Sequence, residues 1–340
     1  MLQDGGTEIA MSLEVSGLHK KYGEKTVVEN LSFSMEKPGV YALLGTNGAG
    51  KTTSIRMMLG MLAKDGGEVL WNGKALNTEH CNVGYLAEER GLYPKYSLMD
   101  QLMYFASLRG VGKAEAQKRI RYWAKRLEVE EYIYPGAAPA PMLGAAPTKK
   151  PLFTRTQKTK MKKADQLSKG NQQKIQLMAA LLSDPELLIL DEPLSGLDPV
   201  NTDLFKKIIR EQIDRGKYLI MSSHQMATVE EFCSDILILD RAKTVLQGNL
   251  NEIKKSYGRV KLYVKTEQPA DEVIGASGAA VENKKEGACE YDLKVTGEEM
   301  ANRLLRALID SGITVVSFTL REPSLHEIFV EKVGAAENHA

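Results

Sequence analysis

Apolar and polar positions alternate from Leu13 through Val15 and Leu18 to Tyr22, the period of a strand with one buried face. The spacing predicts an edge strand there, closed by a turn at Tyr22-Gly23. Val27 to Met35 alternates again, and Pro38-Gly39 turns the chain into Val40-Tyr41-Ala42-Leu43-Leu44. That run is unbroken and apolar, as a buried strand would be. Ser54 to Leu62, rich in Met, Leu and Ile, reads as a helix. Glu68 to Trp71, between Gly66-Gly67 and Asn72-Gly73, predicts a hairpin strand, and Asn82 to Leu86 another short one. Glu88 to Pro94 reads as a loop.

From Ser97 the period lengthens to that of a helix. Leu98, Leu102, Phe105 and Leu108 form one stripe as far as Gly110, and Ser97 with Asp100 resembles a capping box. Lys113 to Leu127 places Ile120, Trp123 and Leu127 on one face of a second helix. These two helices predict an inserted helical lobe. Tyr134 to Lys163 differs in kind. Pro135 to Pro147 is low-complexity linker, and Lys149 to Lys163 is basic with no acid. The expectation is a flexible, solvated insertion without a catalytic role; a basic arm touching lipid headgroups or a regulator is the alternative.

Gln166 to Leu182 returns to helix. Leu187 to Leu190 is a buried strand ending on Asp191, Asn201 to Asp214 an amphipathic helix, and Tyr218 to Ser223 a buried strand. Thr228 to Cys233 predicts a short helix and Ile236 to Leu239 a strand. Alternating strands and helices argue an α/β sheet up to this point. Beyond about Gly258 the order changes. Val260 to Val264, Gly278 to Asn283, Tyr291 to Val295 and Thr314 to Leu320 read as strands, and Glu298 to Ser311 as a helix. They predict a small α+β domain, closed by a helix over Pro323 to Val333. The ends, 1–12 and 334–340, are expected to be frayed tails.

One stretch inside this frame carries chemistry. Gly45-Thr46-Asn47-Gly48-Ala49-Gly50-Lys51-Thr52-Thr53 has the form G-x-x-x-x-G-K-[ST], between a predicted strand and a predicted helix. Its glycines free backbone N–H groups to wrap an anion. Lys51 can reach outer phosphates as a point charge, and the Thr52 hydroxyl is placed to hold Mg²⁺. The second anchor is Leu187 to Glu192. An apolar strand there delivers Asp191 to hold the metal, followed at once by Glu192 to polarise the attacking water.

Composition narrows the alternatives. The chain has 340 residues, 43% hydrophobic and 26% charged, with a net charge of +1. That is ordinary globular usage, with room for a large domain and a small one. The charge balance gives no field suited to nucleic acid. Cys81, Cys233 and Cys289 are scattered, which fits a reducing compartment and no disulfide framework. The acidic, polar start from Met1 to Ala10 lacks the basic and apolar parts of a signal peptide. No run of about 18 apolar residues predicts a membrane span, so a membrane role would need a partner.

The chain resembles the ATP-binding subunits of ABC transporters from Leu13 to about Leu250. Leu167-Ser168-Lys169-Gly170-Asn171-Gln172-Gln173 looks like the family signature, Leu-Ser-Gly-Gly-Gln, with Lys169 and Asn171 as departures. Ser195-Gly196-Leu197-Asp198 matches the D-loop, and Ser222-Ser223-His224 the switch histidine. Tyr22 stands where an aromatic residue stacks on adenine, and Glu88 where the family has glutamine. Arg321 to Phe329 resembles the C-terminal domain of a subgroup exporting drugs, peptides or ions.

The resemblance implies an α/β fold: a P-loop NTPase core of ABC type over 13–250, with an antiparallel β subdomain and a helical subdomain at about 97–183. The insertion at about 134–163 lies within that subdomain, and an accessory α+β domain follows over 258–333. It also implies ATP and Mg²⁺ as ligands. Tyr22, the loop Gly45 to Thr53, Glu88, Ser168, Gly170, Asn171 and Asp198 would contact nucleotide; Thr52, Asp191 and Glu88 would contact metal. Lys51, Glu192 and His224 would be catalytic.

Two such domains, identical or not, would close head to tail on ATP. A membrane-spanning permease would sit on the lobe from Ser97 to Glu131, at the cytoplasmic face of the cell membrane. No nucleic-acid partner is expected. The rivals are a soluble ATPase of this class acting on nucleic acid or ribosomes, and an ATP switch without turnover. The first would carry tandem domains, coiled coils or a basic surface, and the second would lack Glu192.

Overall fold

The structure, a computed structural model, describes residues 12–78, 81–89, 91–135, 162–285 and 289–337. Residues 136–161 of the insertion expected at about 134–163, 1–11 of the N-terminal tail and 338–340 of the C-terminal one lie outside these residues, whereas 334–337, expected to fray, continue the last helix. Two compact units divide the chain: 1–224 with 241–243, and 225–240 with 244–340.

In the first unit β1 (Leu13–Tyr22) and β2 (Lys25–Met35) form an antiparallel hairpin. Leu13, Val15 and Leu18 are buried as their alternation predicts, but β1 is not the expected edge strand: it pairs with β2 on one side and with the strand Gly66–Trp71 on the other. β3 (Gly39–Gly45) leads into α1 (Lys51–Met58). This helix starts three residues earlier than its apolar stretch suggests and ends before Gly60, whose φ of 68° breaks it. β4 (Gly66–Trp71) and β5 (Lys74–Ala75) complete an antiparallel sheet in the order β2-β1-β4-β5. Next come β6 (Val83–Leu86), α2 (Leu98–Leu108), α3 (Lys113–Arg126) and the single turn α4 (Glu130–Ile133).

Ser97 caps α2, its Oγ accepting from Asp100 N–H at 3.2 Å, as the sequence predicts. The apolar stripe does not hold to its end. Leu98 and Leu102 are buried, but Leu108 is 63% exposed, because the buried line continues in steps of four through Ala106 and leaves Leu108 on another face. After a 3₁₀ turn at Ala164–Gln166, α5 (Lys169–Leu181) begins. β7 (Leu187–Asp191), α6 (Pro199–Asp214) and β8 (Tyr218–Ser223) follow. The strands β3-β8-β7-β6 are neighbours in that order and all parallel. Every residue of β7 and β8 is buried. That explains why these strands read as continuous apolar runs rather than alternations.

The second unit opens with α7 (Met226–Val229), which replaces the helix expected over Thr228 to Cys233. Met226 and Val229 are the residues that reach the interior, so the turn forms around them. β9 (Asp235–Asp240), β10 (Lys243–Asn249) and α8 (Leu250–Tyr257) come next. β11 (Lys261–Thr266), α9 (Asp271–Ser277), β12 (Ala280–Lys284), β13 (Glu290–Lys294), α10 (Glu298–Asp310) and β14 (Val315–Arg321) then give a β-α-β-β-α-β order. The sheet is antiparallel in the order β12-β13-β11-β14, the split βαβ arrangement of ferredoxin-like folds. Leu262, Val264, Ile274, Leu293, Leu304 and Leu308 form its core. Tyr291 is buried with them, and its hydroxyl accepts from Ala270 N–H at 2.9 Å and donates to Asp271 at 3.1 Å.

α11 (Leu325–Glu337) closes the unit with a full capping box. Ser324 Oγ accepts from Glu327 N–H at 3.3 Å, and Glu327 Oε2 accepts from Ser324 N–H at 2.7 Å. Burial works against the Glu327 charge, but Arg321 and the Ser324 donors outweigh it and hold the carboxyl at about 2. The folded value lies below the ordinary 4.5, so this stabilisation is present above about pH 4.5 and lost as pH falls toward 2. Glu327→Gln should cost about 1–2 kcal/mol at pH 7, after discounting for partial exposure. The deficit should shrink as urea melts of the full chain are repeated at lower pH. A deficit that stays constant down to pH 2 would contradict this account.

Candidate functional site

The site lies at the carboxyl ends of the parallel strands. Register aligns Leu44 with Ser223 and Asp191 with Ser222, so β3, β7 and β8 end side by side. Such strand ends are where open α/β sheets place ligands. The phosphate loop leaves β3 there. Gly50 has a φ of 111°, and a Cβ on it would stand 2.5 Å from the Val27 carbonyl oxygen of β2. Glycine is therefore required twice over, by backbone conformation and by contact with the hairpin. α1 starts at once, with no side-chain cap, and presents its first-turn N–H groups at the loop. Thr46, Asn47 and Gly48 are exposed, while Gly45, Ala49 and Gly50 are buried.

Lys51 is buried, and its ammonium donates to Gly45 O at 2.9 Å and Thr46 O at 3.2 Å. It also stands 3.3 Å from Glu192 Oε1. The Thr52 hydroxyl lies 3.1 Å from Asp191 Oδ1 and 3.4 Å from Glu88 Oε2. Thr53 follows on α1, half-buried. Ser222 organises both acids: its hydroxyl donates to Asp191 Oδ1 at 2.5 Å and accepts from Glu192 N–H at 2.9 Å. The sequence names Ser222 only as part of the segment ending on His224 and gives its hydroxyl no role, because that role depends on the pairing of β7 with β8.

Glu192 has a φ of 49°, in the left-handed region that non-glycine residues enter at a cost of roughly 1–3 kcal/mol. This turn aims a buried carboxylate back into the site, where His224 Nδ1 meets Oε2 at 2.9 Å. Among the described residues neither Asp191 Oδ2 nor Glu192 Oε1 has a hydrogen-bond partner; Lys51 is at ion-pair distance from the latter without an aligned bond. Burial raises the Asp191 carboxyl above its ordinary range. Ser222 and Thr52 oppose this, and the Glu88 and Glu192 charges add to it. Two carboxylates and a hydroxyl are hard oxygen donors, and an unpartnered buried oxygen among them fits a hard divalent cation.

The signature residues stand apart from this group. Ser168 caps α5, its Oγ accepting from Asn171 N–H at 3.3 Å, and the Asn171 side chain donates to Tyr132 at 3.1 Å. No hydrogen bond or ion pair among the described residues joins Ser168, Gly170 or Asn171 to the loop from Gly45 to Thr53. Lys169 lies over Gly196, where a Cβ would come within 3.1 Å of Nζ, so the signature helix supports the D-loop of its own chain. Asp198 caps α6 through Asn201 N–H at 3.0 Å. Gln173, which the sequence likewise names only within its segment, ties α5 to the loop after β7 through Pro193 O at 2.9 Å. Tyr22 sits at the hairpin tip opposite Lys25, 53% exposed, with Lys20 Nζ 5.5 Å from its ring centre. A cleft of about 840 Å³ is lined by Glu88, Glu89, Asp165, Lys169 and Glu192.

A phosphate loop after β3 of a parallel sheet, with two acids at the end of β7, one strand removed across β8, defines a nucleotide-binding P-loop protein. The family description "ABC transporter" matches residues 28–195, and "ATP-binding protein DrrA1-3-like, C-terminal domain" matches 248–333. The ABC transporter ATP-binding protein YhaQ of Bacillus subtilis is 39% identical over 324 residues, covering 95% of this chain and 99% of that one. The linearmycin resistance ATP-binding protein LnrL of the same organism is 28% identical over 332 residues, covering 95% and 98%. A solved ATP-binding subunit of an ABC transporter superposes with a TM-score of 0.59 at 26% identity, covering 72% of this chain and 92% of that one. The chain belongs to the ATP-binding proteins of ABC transporters, a family of ATPases.

Proposed function

We propose that this chain hydrolyses ATP at a site completed by a second nucleotide-binding chain, and so energises a membrane exporter. The observation that carries the reading is Glu192, a buried carboxylate bent back onto Lys51 and His224 beside the Thr52–Asp191 pair. In this reading the loop N–H groups and Lys51 bind the β- and γ-phosphates, and Lys51 exchanges Glu192 for phosphate oxygen. Glu192, freed from the ion pair, orients and deprotonates the attacking water. His224 holds Glu192 and reaches the γ-phosphate. Mg²⁺, held by Thr52, Asp191 and Glu88, would neutralise developing phosphate charge.

The lack of any hydrogen bond or ion pair, among the described residues, between the signature and the phosphate loop of one chain supports a shared site. Ser168 and the Gly170 backbone would cap the ATP bound by the facing chain, and Asp198 would contact that chain. Tyr22 would stack on adenine. Closure on ATP and opening after hydrolysis form the two-state element. Whether the facing chain is a second copy or a relative leaves this chemistry unchanged.

No helix among the described residues is long and apolar enough to cross a membrane. A permease therefore supplies the membrane part. The exposed end of α2 supports its docking: Leu108 and Met61, 63% and 65% exposed, flank a groove of about 340 Å³ with Phe105 and Leu92. Apolar side chains left in water around a groove suit an amphipathic helix of a partner. Export is the direction supported by the similarity of residues 248–333 to the DrrA1-3-like domain and of the chain to a linearmycin resistance protein.

The test is ATP turnover by the purified chain, alone and with its permease. No turnover in either form would refute the reading. Leu108→Glu should leave ATP binding unchanged and reduce membrane-recovered chain at least about fivefold, the effect of about 1 kcal/mol or more lost at the groove. Unchanged recovery in membrane fractions would remove α2 from the docking face.

A further inference from the structure

We infer that Glu88, with Asp191 and Thr52, forms a divalent-cation site that fills before nucleotide arrives. The inference rests on the nucleotide-site reading above. Its geometry is a single hydroxyl between two carboxylates: Thr52 Oγ1 is 3.1 Å from Asp191 Oδ1 and 3.4 Å from Glu88 Oε2. A hydroxyl has one proton and can donate fully to one of them. The other carboxylate is left facing a like charge.

A second observation is independent of that pair. Asp191 is fully buried, yet its Oδ2 has no hydrogen-bond partner among the described residues. A buried carboxylate oxygen without a donor is unfavourable unless a cation takes the donor's place. The nearby ammonium does not fill that role. Lys51 is committed to Gly45 O, Thr46 O and Glu192, and none of its described contacts is with Asp191 or Glu88.

The donor set decides the ligand class. Two carboxylate oxygens and a hydroxyl are hard donors carrying two negative charges, suited to Mg²⁺ or Mn²⁺ with water in the remaining positions. Glu88 is exposed on the acidic wall of the 840 Å³ cleft, so a hydrated cation reaches it directly from solvent. An amide at position 88 would offer the same oxygen with one charge fewer. A cation held that weakly would come and go with the nucleotide's phosphates. Here the second carboxylate retains it between turnovers.

The test uses the full chain without nucleotide, titrated with Mn²⁺ while the signal of free hydrated Mn²⁺ is followed by electron paramagnetic resonance. About one Mn²⁺ per chain should bind, Glu88→Gln should weaken it about tenfold or more, and Glu89→Gln should change it less than about twofold. Both positions are exposed, so neither variant threatens folding. No binding by the wild-type chain, equal affinity in Glu88→Gln, or equal losses in the two variants would overturn the inference. ATP binding is measured on the same samples. A chain that binds ATP but not Mn²⁺ loses only this inference, whereas a chain that binds no ATP loses the nucleotide-site reading itself.

Discussion

Glu192→Gln should stop steady-state ATP turnover and leave ATP bound. The substitution keeps shape and one oxygen, so the buried pocket around it remains filled. It removes the charge that Lys51 and His224 now face at 3.3 and 2.9 Å. A carboxamide cannot accept a proton from water, and losing a positioned general base costs about 10²–10⁴-fold in rate. Phosphate binding does not need Glu192, because Lys51 loses its ion-pair partner and becomes free for the γ-phosphate. Phosphate release and nucleotide retained through a desalting column measure the two halves of this result. A fall of less than about tenfold in turnover would assign the base to another group. Retained turnover with no ATP held would contradict the mechanism outright.

Gly50→Ala gives the largest structural effect. The new Cβ would meet the Val27 carbonyl at 2.5 Å, and backbone is not a flexible neighbour. A φ of 111° adds strain of its own. Either the loop or the β1–β2 hairpin must move, so the N–H groups of α1 no longer converge. The expected outcome is a loss of about 2 kcal/mol or more in stability and about 100-fold or more in ATP affinity. Gly48→Ala is the matched control. Its φ of 82° also disfavours alanine, but nothing lies within 4 Å of the added Cβ. It should cost about 1 kcal/mol. Thermal melts and nucleotide titrations compare the two. Equal behaviour of both variants would show that the hairpin contact is unimportant.

The parts of the site that were legible in the sequence are those that lie consecutively in it. Gly45 to Thr53 is one loop, and Leu187 to Glu192 is one strand with its end. Each is marked by an unbroken apolar run, Val40 to Leu44 before the loop and Leu187 to Leu190 before the acids, because β3 and β7 are buried on both faces. The role of Ser222 was not legible, since only the β7–β8 register places it between Asp191 and Glu192. Elements with little buried surface were missed for a related reason. β10 has no buried residue, and α8 buries only Leu250, so neither leaves a periodic signature. α9 is seven residues long and contains Gly275. Leu108 failed in the other direction: its spacing fits a core stripe, but the buried line runs through Leu98, Leu102 and Ala106 and passes it by. The α+β character of the C-terminal region could be read from its strands and helix, while the order β12-β13-β11-β14 could not, because pairing is not local.

The shared site is the central claim, and sedimentation velocity of the Glu192→Gln chain tests it most directly. With ATP and Mg²⁺ the chain should sediment as a dimer carrying two nucleotides, and without ATP as a monomer. Adding Ser168→Arg to the same chain should abolish the dimer while the phosphate loop still binds ATP. A chain that stays monomeric with ATP bound, or a dimer indifferent to Ser168→Arg, would contradict it.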